Sequence, residues 1–109
     1  MGQYDWYAVY CEPMRTQYER GRDSEYAARD RLLNDGYHTV LRMAGSHGMV
    51  DLVAVGEHNV KFVQVKRCEE RREYHAELKA LQAWPVPPDC QKELWIYVAG
   101  ERRWVIVPA

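Results

Sequence analysis

The chain lacks any long apolar run, and this absence limits the classes of protein to which it can belong. No stretch of its 109 residues approaches the roughly 20 apolar residues that a membrane-spanning helix requires. Asp5 and Glu12 interrupt the N-terminal segment, so a secretory signal peptide is not expected there either. The sequence therefore predicts a cytoplasmic protein with no membrane partner.

Cysteine is scarce, and the three that are present follow no pattern of a metal site or a disulfide framework. Cys11, Cys68 and Cys90 are far apart and odd in number, which favours reduced thiols in a reducing compartment. This excludes a small disulfide-stabilised fold and a structural zinc centre built on cysteine pairs.

Net charge is also low, because 15 basic residues are balanced by 16 acidic ones to give −1. Such a balance does not by itself indicate a protein that binds nucleic acid. Most of the basic residues are arginines, which bind phosphate through a planar fork of donors. They concentrate in regions 15–31 and 66–72, but acidic residues are interleaved with them, so solvated surface is the simpler interpretation of charge alone.

What the chain does contain is enough apolar sequence, 47% of its residues, for one globular domain with a single modest core. Its most informative segment is a pair of apolar runs, 51–55 and 60–66, separated by the turn-forming residues 56–59. This pattern predicts a β-hairpin.

Three polar side chains of this hairpin are expected to share one face of the sheet. A two-residue loop places Asp51 opposite Lys66, whereas a four-residue loop places Asp51 opposite Gln64. Side chains alternate along a strand, so Asp51, Gln64 and Lys66 face the same side in both registers. Val63 and Val65 face the other side and are expected to be buried. Because polar groups at the end of an apolar hairpin are costly to bury alone, this face is either a solvated Asp51–Lys66 ion pair or a functional site.

A helix rich in charged residues precedes the hairpin. Residues 24–35 are predicted to form it, with Asp23 or Ser24 as its N-cap and Gly36 ending it in the left-handed conformation. Glu25 lies in the first turn of this helix. A glutamate there favours the helix N-terminus electrostatically, so Glu25 alone has an ordinary explanation.

The remaining elements complete an α/β domain. Strands are predicted over 37–43, 93–99 and 103–107, a second helix over 70–83, and a strand or an arm over the aromatic segment 4–11. The order of helix, three strands, helix and two strands predicts a mixed sheet flanked by helices. The second helix provides a connection that can make the strand after it parallel to the strand before it.

Taken together, these residues resemble a known family. The matching positions are Glu25, Leu32, Gly36-Tyr37, Val40-Leu41-Arg42, Gly45-Ser46-His47-Gly48, Asp51-Leu52-Val53-Ala54 and Gln64-Val65-Lys66. In order and spacing, over residues 21–84, they are similar to the archaeal-type Holliday-junction resolvases of the PD-(D/E)xK nuclease superfamily. The resemblance implies a restriction-endonuclease-like fold with a mixed five-stranded sheet, a nuclease domain over 21–109 and an N-terminal extension of unknown role over 1–20.

The resemblance also implies an active site for phosphodiester hydrolysis. Glu25, Asp51 and Gln64 would bind Mg²⁺, or Mn²⁺ in its place, together with the carbonyl oxygen of Val65. Lys66 would position or deprotonate the attacking water, or offset charge in the transition state.

A loop and several arginines extend the implied site. Ser46 matches a loop serine that assists catalysis near the scissile phosphate, and His47 would contact phosphate. DNA binding is assigned to basic residues around these positions, namely Arg22, Arg42, Arg67, Arg71 and Arg72, together with His47.

The chain departs from the family at Gln64, where the family usually has glutamate. The Gln-x-Lys sequence resembles the variant found in Mrr-like restriction nucleases, so it does not imply an inactive site. It does remove one negative charge, and two carboxylates are a sparse anionic set for Mg²⁺. We therefore expect weak Mg²⁺ binding in the absence of DNA.

These features predict a homodimeric, Mg²⁺-dependent endonuclease that resolves four-way DNA junctions by paired cuts, at the nucleoid or in a host cytoplasm if the protein is viral. Two alternatives stay open: an Mrr-like or repair-type nuclease with another DNA substrate, and a non-catalytic DNA-binding protein with the same fold. Trp95 with Tyr97 and Trp104 with Ile106 share sheet faces, so these pairs either form part of a dimer interface or cover the monomer's own sheet.

Overall fold

The computed structural model of the chain describes residues 16–43 and 48–109. In chain order its elements are helix α1 (Gln17–Asn34), β1 (Thr39–Arg42), β2 (Leu52–Val55), β3 (Val60–Cys68), helix α2 (His75–Ala83), β4 (Gln91–Val98) and β5 (Arg103–Pro108). The predictions for segment 4–11, Ser46 and His47 lie outside the described residues. In the described part of the chain, no helix is long and apolar enough to cross a membrane.

The five strands form one mixed sheet, as predicted, and their order in it is β1-β2-β3-β4-β5. β1, β2 and β3 pair antiparallel, β4 runs parallel to β3 after the connection through α2, and β5 returns antiparallel to β4. Leu52 lies opposite Val63 and Val55 opposite Val60, which is the register of the four-residue loop. Continued by one residue, this register places Asp51 opposite Gln64.

α1 begins at Gln17 and not at residue 24, because a stronger cap lies upstream. The Thr16 hydroxyl accepts a hydrogen bond from the Glu19 N–H (3.1 Å), and the Glu19 carboxylate accepts one from the Thr16 N–H (3.0 Å). This reciprocal capping box satisfies two N–H groups that a helix start leaves free. The predicted caps, Asp23 and Ser24, therefore lie inside the helix, which runs without interruption through residue 20.

The other end of α1 follows the prediction. Gly36 has φ = 109°, a left-handed conformation that L-residues with side chains adopt only at a cost. The Tyr37 N–H then donates to the carbonyl of Leu32 (3.2 Å). α2 begins at His75, later than predicted, because residues 70–73 carry no apolar side chain that a further helical turn would bury.

The two described helices pack on opposite faces of the sheet. On one face, α1 forms a core of Ala28, Leu32, Leu52, Ala54, Val63 and Trp95. On the other, α2 contributes Tyr74 and Leu81 to a cluster with Val50, Leu94, Ile96 and Val98. Val63 and Val65 belong to the α1 side, as expected from the alternation, so Gln64 and Lys66 are on the α2 side of β3.

The aromatic residues of the last hairpin contribute to the core of the monomer. Trp95 is only 1% exposed and packs with the core beneath α1. Trp104 lies between Trp95 and Tyr97, with ring centroids 5.5 and 5.1 Å away. The aromatic pairs of this hairpin were expected either to form part of a dimer interface or to cover the monomer's own sheet. Trp95 covers the monomer's own sheet.

Candidate active site

Asp51 lies at the point where β2 and β3 separate. Its backbone N–H donates to the carbonyl of Val63 (2.9 Å), and its own carbonyl accepts from the Met43 N–H (2.9 Å). β2 begins only at Leu52, so the Val65 N–H meets the Asp51 carboxylate in place of a strand carbonyl, at 2.8 Å. The carboxylate is therefore held by the main chain of β3 at the end of the hairpin.

Glu25 approaches from α1 and is held by an ion pair. Its Oε1 accepts a hydrogen bond from Arg42 Nε at 2.7 Å, with the two side chains only 21% and 19% exposed. Arg42 is the last residue of β1, and it lies opposite Leu52 in the β1–β2 register. The pairing of β1 with β2 thus brings the arginine to the same end of the hairpin as Asp51.

The two carboxylates are near enough to influence each other's ionisation. Burial raises the pKa of Glu25 above its ordinary value and repulsion from Asp51 adds to the rise, whereas the hydrogen bond from Arg42 opposes it. Burial also raises the pKa of Asp51, opposed by the Val65 N–H and by the charges of Lys66 and Arg42. Two acids, an ammonium and a guanidinium therefore form one electrostatic group.

Gln64 has a buried amide oxygen that is not satisfied by the protein. Its Oε1 is inaccessible and has no hydrogen-bond partner among the described residues. A buried oxygen without a donor costs roughly 1–3 kcal/mol. Such an atom beside Asp51 is accounted for if the site receives a donor or a cation.

Strand alternation supports the predicted common face for Gln64 and Lys66 but does not fix the side chain of Asp51. Alternation holds for Gln64 and Lys66, which are both in β3. Asp51, however, precedes β2 in a bend, so strand alternation no longer determines the direction of its side chain. The Asp51 carboxylate lies near enough both to Glu25 from α1 and to Lys66 in β3 for their charges to affect each other's ionisation. The group lies at the end of the hairpin and not on one face of the sheet.

A basic cavity adjoins this group. Its volume is about 350 Å³, and it is lined by Arg20, Gly21, Val65, Lys66, Arg67, Cys68 and Glu69. Arg67 lies over the ring of Tyr97 at 5.5 Å, and its Nε is buried with no partner in the described part of the chain. Arg67 Nη2 lies 3.9 Å from a carboxylate oxygen of Glu69, so Nε is the donor left without a partner among the described residues, and a guanidinium placed in this way beside a cavity suits an anionic ligand such as phosphate.

The other arginines assigned to DNA contact behave differently. Arg71 pairs with Glu101 in the β4–β5 turn at 2.9 Å, and Arg72 lies over the ring of Tyr74 at 4.6 Å. Arg22 is on α1, one turn before Glu25. The structure therefore brings Arg42 to the carboxylates and Arg67 to the cavity beside Lys66. It shows Arg71 and Arg72 in contacts with other parts of the domain.

Three contributors to this region were not predicted from the sequence. Tyr26 supplies a ring to Arg42, with the guanidinium carbon 5.1 Å from the ring centroid. Val65 contributes its N–H to Asp51, in addition to the carbonyl that was predicted as a metal ligand. Arg20 joins the cavity because α1 extends further towards the N-terminus than predicted. Of these, only Tyr26 had a sequence signal, its position next to Glu25.

The residues present fit a hard divalent cation of the Mg²⁺ type. Asp51 and Glu25 offer carboxylate oxygens and Gln64 an unsatisfied amide oxygen, which are the ligand atoms such ions prefer. Within residues 16–43 and 48–109, no group of three or more His, Cys, Asp or Glu side chains is arranged to hold a metal. The protein would therefore supply a sparse set, which water and substrate phosphate must complete.

Comparison with known proteins gives a match in structure only. No protein-family model matches the chain, and no curated protein sequence does. Its fold is similar to that of Hjc from Archaeoglobus fulgidus, a Holliday junction resolvase from an archaeal hyperthermophile, with a TM-score of 0.61 and 20% identity. The match covers 77% of this chain and 72% of that one. The predicted restriction-endonuclease-like fold is thereby confirmed.

The raised pKa of Asp51 predicts that Asp51→Asn stabilises the protein at neutral pH. An amide can still accept from the Val65 N–H but carries no charge whose hydration is lost on burial. At pH values above its raised folded-state pKa, the ionised Asp51 carboxylate lowers the free energy of unfolding by the largest amount. This loss becomes smaller as the pH falls and the folded group is protonated. It vanishes below the unfolded value of about 3.9. The melting temperature of the variant should therefore exceed that of the wild type by several degrees at pH 7 and equal it near pH 3.5.

Thermal unfolding followed by circular dichroism at both pH values measures this difference. Asp89→Asn, at an exposed position in the α2–β4 connection, is the control and should change neither value. A lower melting temperature for Asp51→Asn at pH 7 would show that the carboxylate stabilises the fold and is retained for that reason.

Proposed function

We propose that the protein is a Mg²⁺-dependent endonuclease that cuts branched DNA, with four-way junctions as its substrate. The observation that carries this proposal is the group at the end of the β2–β3 hairpin, in which Asp51 interacts with Glu25 and Lys66 beside the unsatisfied oxygen of Gln64. A fold similar to that of a Holliday junction resolvase supports the choice of substrate.

The residues divide the work of phosphodiester hydrolysis between them. Asp51, Glu25 and Gln64 would hold Mg²⁺, with the Val65 carbonyl as a further ligand. The ion neutralises phosphate charge and favours ionisation of a water when bound. The Val65 N–H keeps the Asp51 carboxylate in position. Lys66 would orient or deprotonate the attacking water and offset charge in the transition state.

DNA would be held by its backbone, not by its bases. Lys66, Arg20 and Arg67 line the cavity next to the carboxylates, and the buried Nε of Arg67 would gain a phosphate partner. The proposal also includes two residues of the segment that follows β1. Ser46 would assist catalysis, and His47 would contact a phosphate. Recognition of a junction would follow from its shape, since backbone contacts carry no sequence information.

Paired cuts require two active sites, so the proposal includes a homodimer. A two-fold axis would relate the sites in the same way that it relates opposite strands of a symmetric junction. Tyr97 and Trp104, which are only partly buried in the monomer, are candidates for part of the interface. Light scattering at micromolar concentration measures the mass with and without DNA.

Cleavage of a labelled four-way junction and of a matched linear duplex tests the function. With Mg²⁺, symmetric paired nicks are expected in the junction and none in the duplex, and without Mg²⁺ neither should be cut. Asp51→Asn should reduce cleavage at least ~1,000-fold, because a central metal ligand is lost. Junction affinity measured without metal should change little, since the phosphate-binding residues remain.

The alternatives make different predictions in the same assay. Equal cleavage of junction and duplex would favour an Mrr-like or repair-type nuclease. Binding of the junction without cleavage, in Mg²⁺ and in Mn²⁺, would favour a non-catalytic DNA-binding protein. Cleavage that is undiminished in Asp51→Asn would show that the active site lies elsewhere.

Restoring an acid at Gln64 should strengthen metal binding. In Gln64→Glu a charged ligand replaces a neutral amide, so we expect the Mg²⁺ midpoint of cleavage to fall roughly 10-fold. Without metal the same variant should be less stable than the wild type, because a third carboxylate is then buried next to Asp51. Mg²⁺ titrations of cleavage and of melting temperature measure both effects. An unchanged midpoint would show that Gln64 is not a ligand.

A further inference from the structure

Arg42 occupies a carboxylate oxygen that a divalent cation at the proposed site would need. Arg42 Nε donates to Glu25 Oε1 at 2.7 Å, and this oxygen belongs to one of the two acids that would bind metal. The guanidinium charge also lowers the pKa of Asp51, so it lies near the second acid as well. The position of Arg42 therefore opposes the entry of a second positive charge between the carboxylates.

The net charge of this group of side chains makes the effect of Arg42 on cation binding large. The charges of Glu25 and Asp51 are balanced by those of Arg42 and Lys66, and Gln64 adds none. A site with no net charge attracts a divalent cation weakly. With a glutamate in place of Gln64, the group would keep a net negative charge. The effect of Arg42 on cation binding is therefore larger with Gln64 than it would be with a glutamate at this position.

Arg42 has the length and the anchorage to change partners. Its main chain is at the end of β1, where the Met43 N–H bonds to the carbonyl of Asp51 at 2.9 Å. The strand end therefore stays in place while the side chain rotates. Its guanidinium lies 5.1 Å from the ring of Tyr26, a contact that does not depend on the orientation of the donors.

We infer that Arg42 exchanges Glu25 for a DNA phosphate, and that the released Glu25 then binds the metal. This rests on the proposed nuclease function and adds to it a coupling between the two ligands. Phosphate offers an arginine two acceptor oxygens in matching geometry, whereas the Glu25 contact uses Nε alone. Because coupling between two ligands is reciprocal, the metal must tighten DNA binding by the same factor by which DNA tightens metal binding.

Arg29 provides a control of equal charge for substitutions of Arg42, because it contacts the ring of the same tyrosine, Tyr26. Arg29 also lies 5.1 Å from the centroid of Tyr26, but it pairs with Asp30 and not with Glu25. Arg42→Met and Arg29→Met each remove one guanidinium from Tyr26. Only the first removes the competitor for Glu25.

The test is a titration with MnCl₂, in which free Mn²⁺ is measured by electron paramagnetic resonance with and without a four-way junction. Readings are taken before a parallel gel detects cleavage. In the wild type and in Arg29→Met, the junction should tighten Mn²⁺ binding about 10-fold or more, within the usual range of coupling energies. In Arg42→Met, binding without DNA should be roughly 5-fold tighter than in the wild type, and the junction, whose phosphate still completes the ligand shell, should tighten Mn²⁺ binding by clearly less than it does in the wild type.

Arg42→Lys keeps the charge on a shorter side chain with no planar fork, and it should show an intermediate coupling. The junction affinity of the wild type, measured with and without Mn²⁺, must give the same coupling factor.

Two outcomes would overturn the inference in distinguishable ways. If Arg42→Met keeps the full effect of the junction on Mn²⁺ affinity, Arg42 is a permanent partner of Glu25 and the exchange is wrong, while the nuclease proposal stands. If the wild type binds no Mn²⁺ even with the junction, the metal site and the exchange fail together.

Discussion

Two partly buried carboxylates, Glu25 and Asp51, lie close enough to repel each other, and the arrangement around them depends on compensating that cost. The Val65 N–H, the Lys66 ammonium and the Arg42 guanidinium each stabilise one or both acids. Burial nevertheless outweighs them, so the pKa of each acid is raised. Buried charges of this kind are poor evidence for stability, since apolar residues of similar volume often stabilise as well or better. Their presence is accounted for by a function that needs charge.

The acids and the groups that compensate them come from separate parts of the fold that meet at one end of the β2–β3 hairpin. α1 brings Glu25, β1 brings Arg42, and β3 brings Lys66. The short β2 leaves Asp51 outside the regular ladder, where its carboxylate replaces a strand carbonyl. The same positive groups that allow two acids to be buried would also oppose a metal ion at the proposed site. A site built in this way suits an ion that binds when DNA brings its own negative charge.

Local patterns were sufficient to predict much of the fold. The alternation of apolar residues predicted both strands of the hairpin. The loop over 56–59 has the four-residue register, one of the two that the sequence allows. The parallel pairing of β3 with β4 followed from the helical connection between them. The start of α1 was wrong because Asp23 and Ser24 have the same capping chemistry as Thr16, and only the full capping box with Glu19 decides between them.

The sequence analysis named the residues of the candidate site but not the contacts between them. Alternation placed Gln64 and Lys66 together, and the resemblance to resolvases added Glu25 and Asp51. The Glu25–Arg42 ion pair depends on how α1 lies across the sheet, which no local pattern specifies. The direction of the Asp51 side chain was not predictable either. Asp51 precedes β2, and side chains alternate between the two faces only within a strand.

The central claim is that Asp51, Glu25 and Gln64 form one metal site that substrate completes. Anomalous diffraction from crystals of the protein with Mn²⁺ and a four-way junction tests this claim most directly. The account predicts one Mn²⁺ peak per active site, with oxygens of these three side chains at about 2.0–2.3 Å and a DNA phosphate oxygen in the same shell. In the same crystals Arg42 should contact DNA and not Glu25. A Mn²⁺ peak away from Asp51, or an intact Glu25–Arg42 ion pair beside bound metal, would contradict the account.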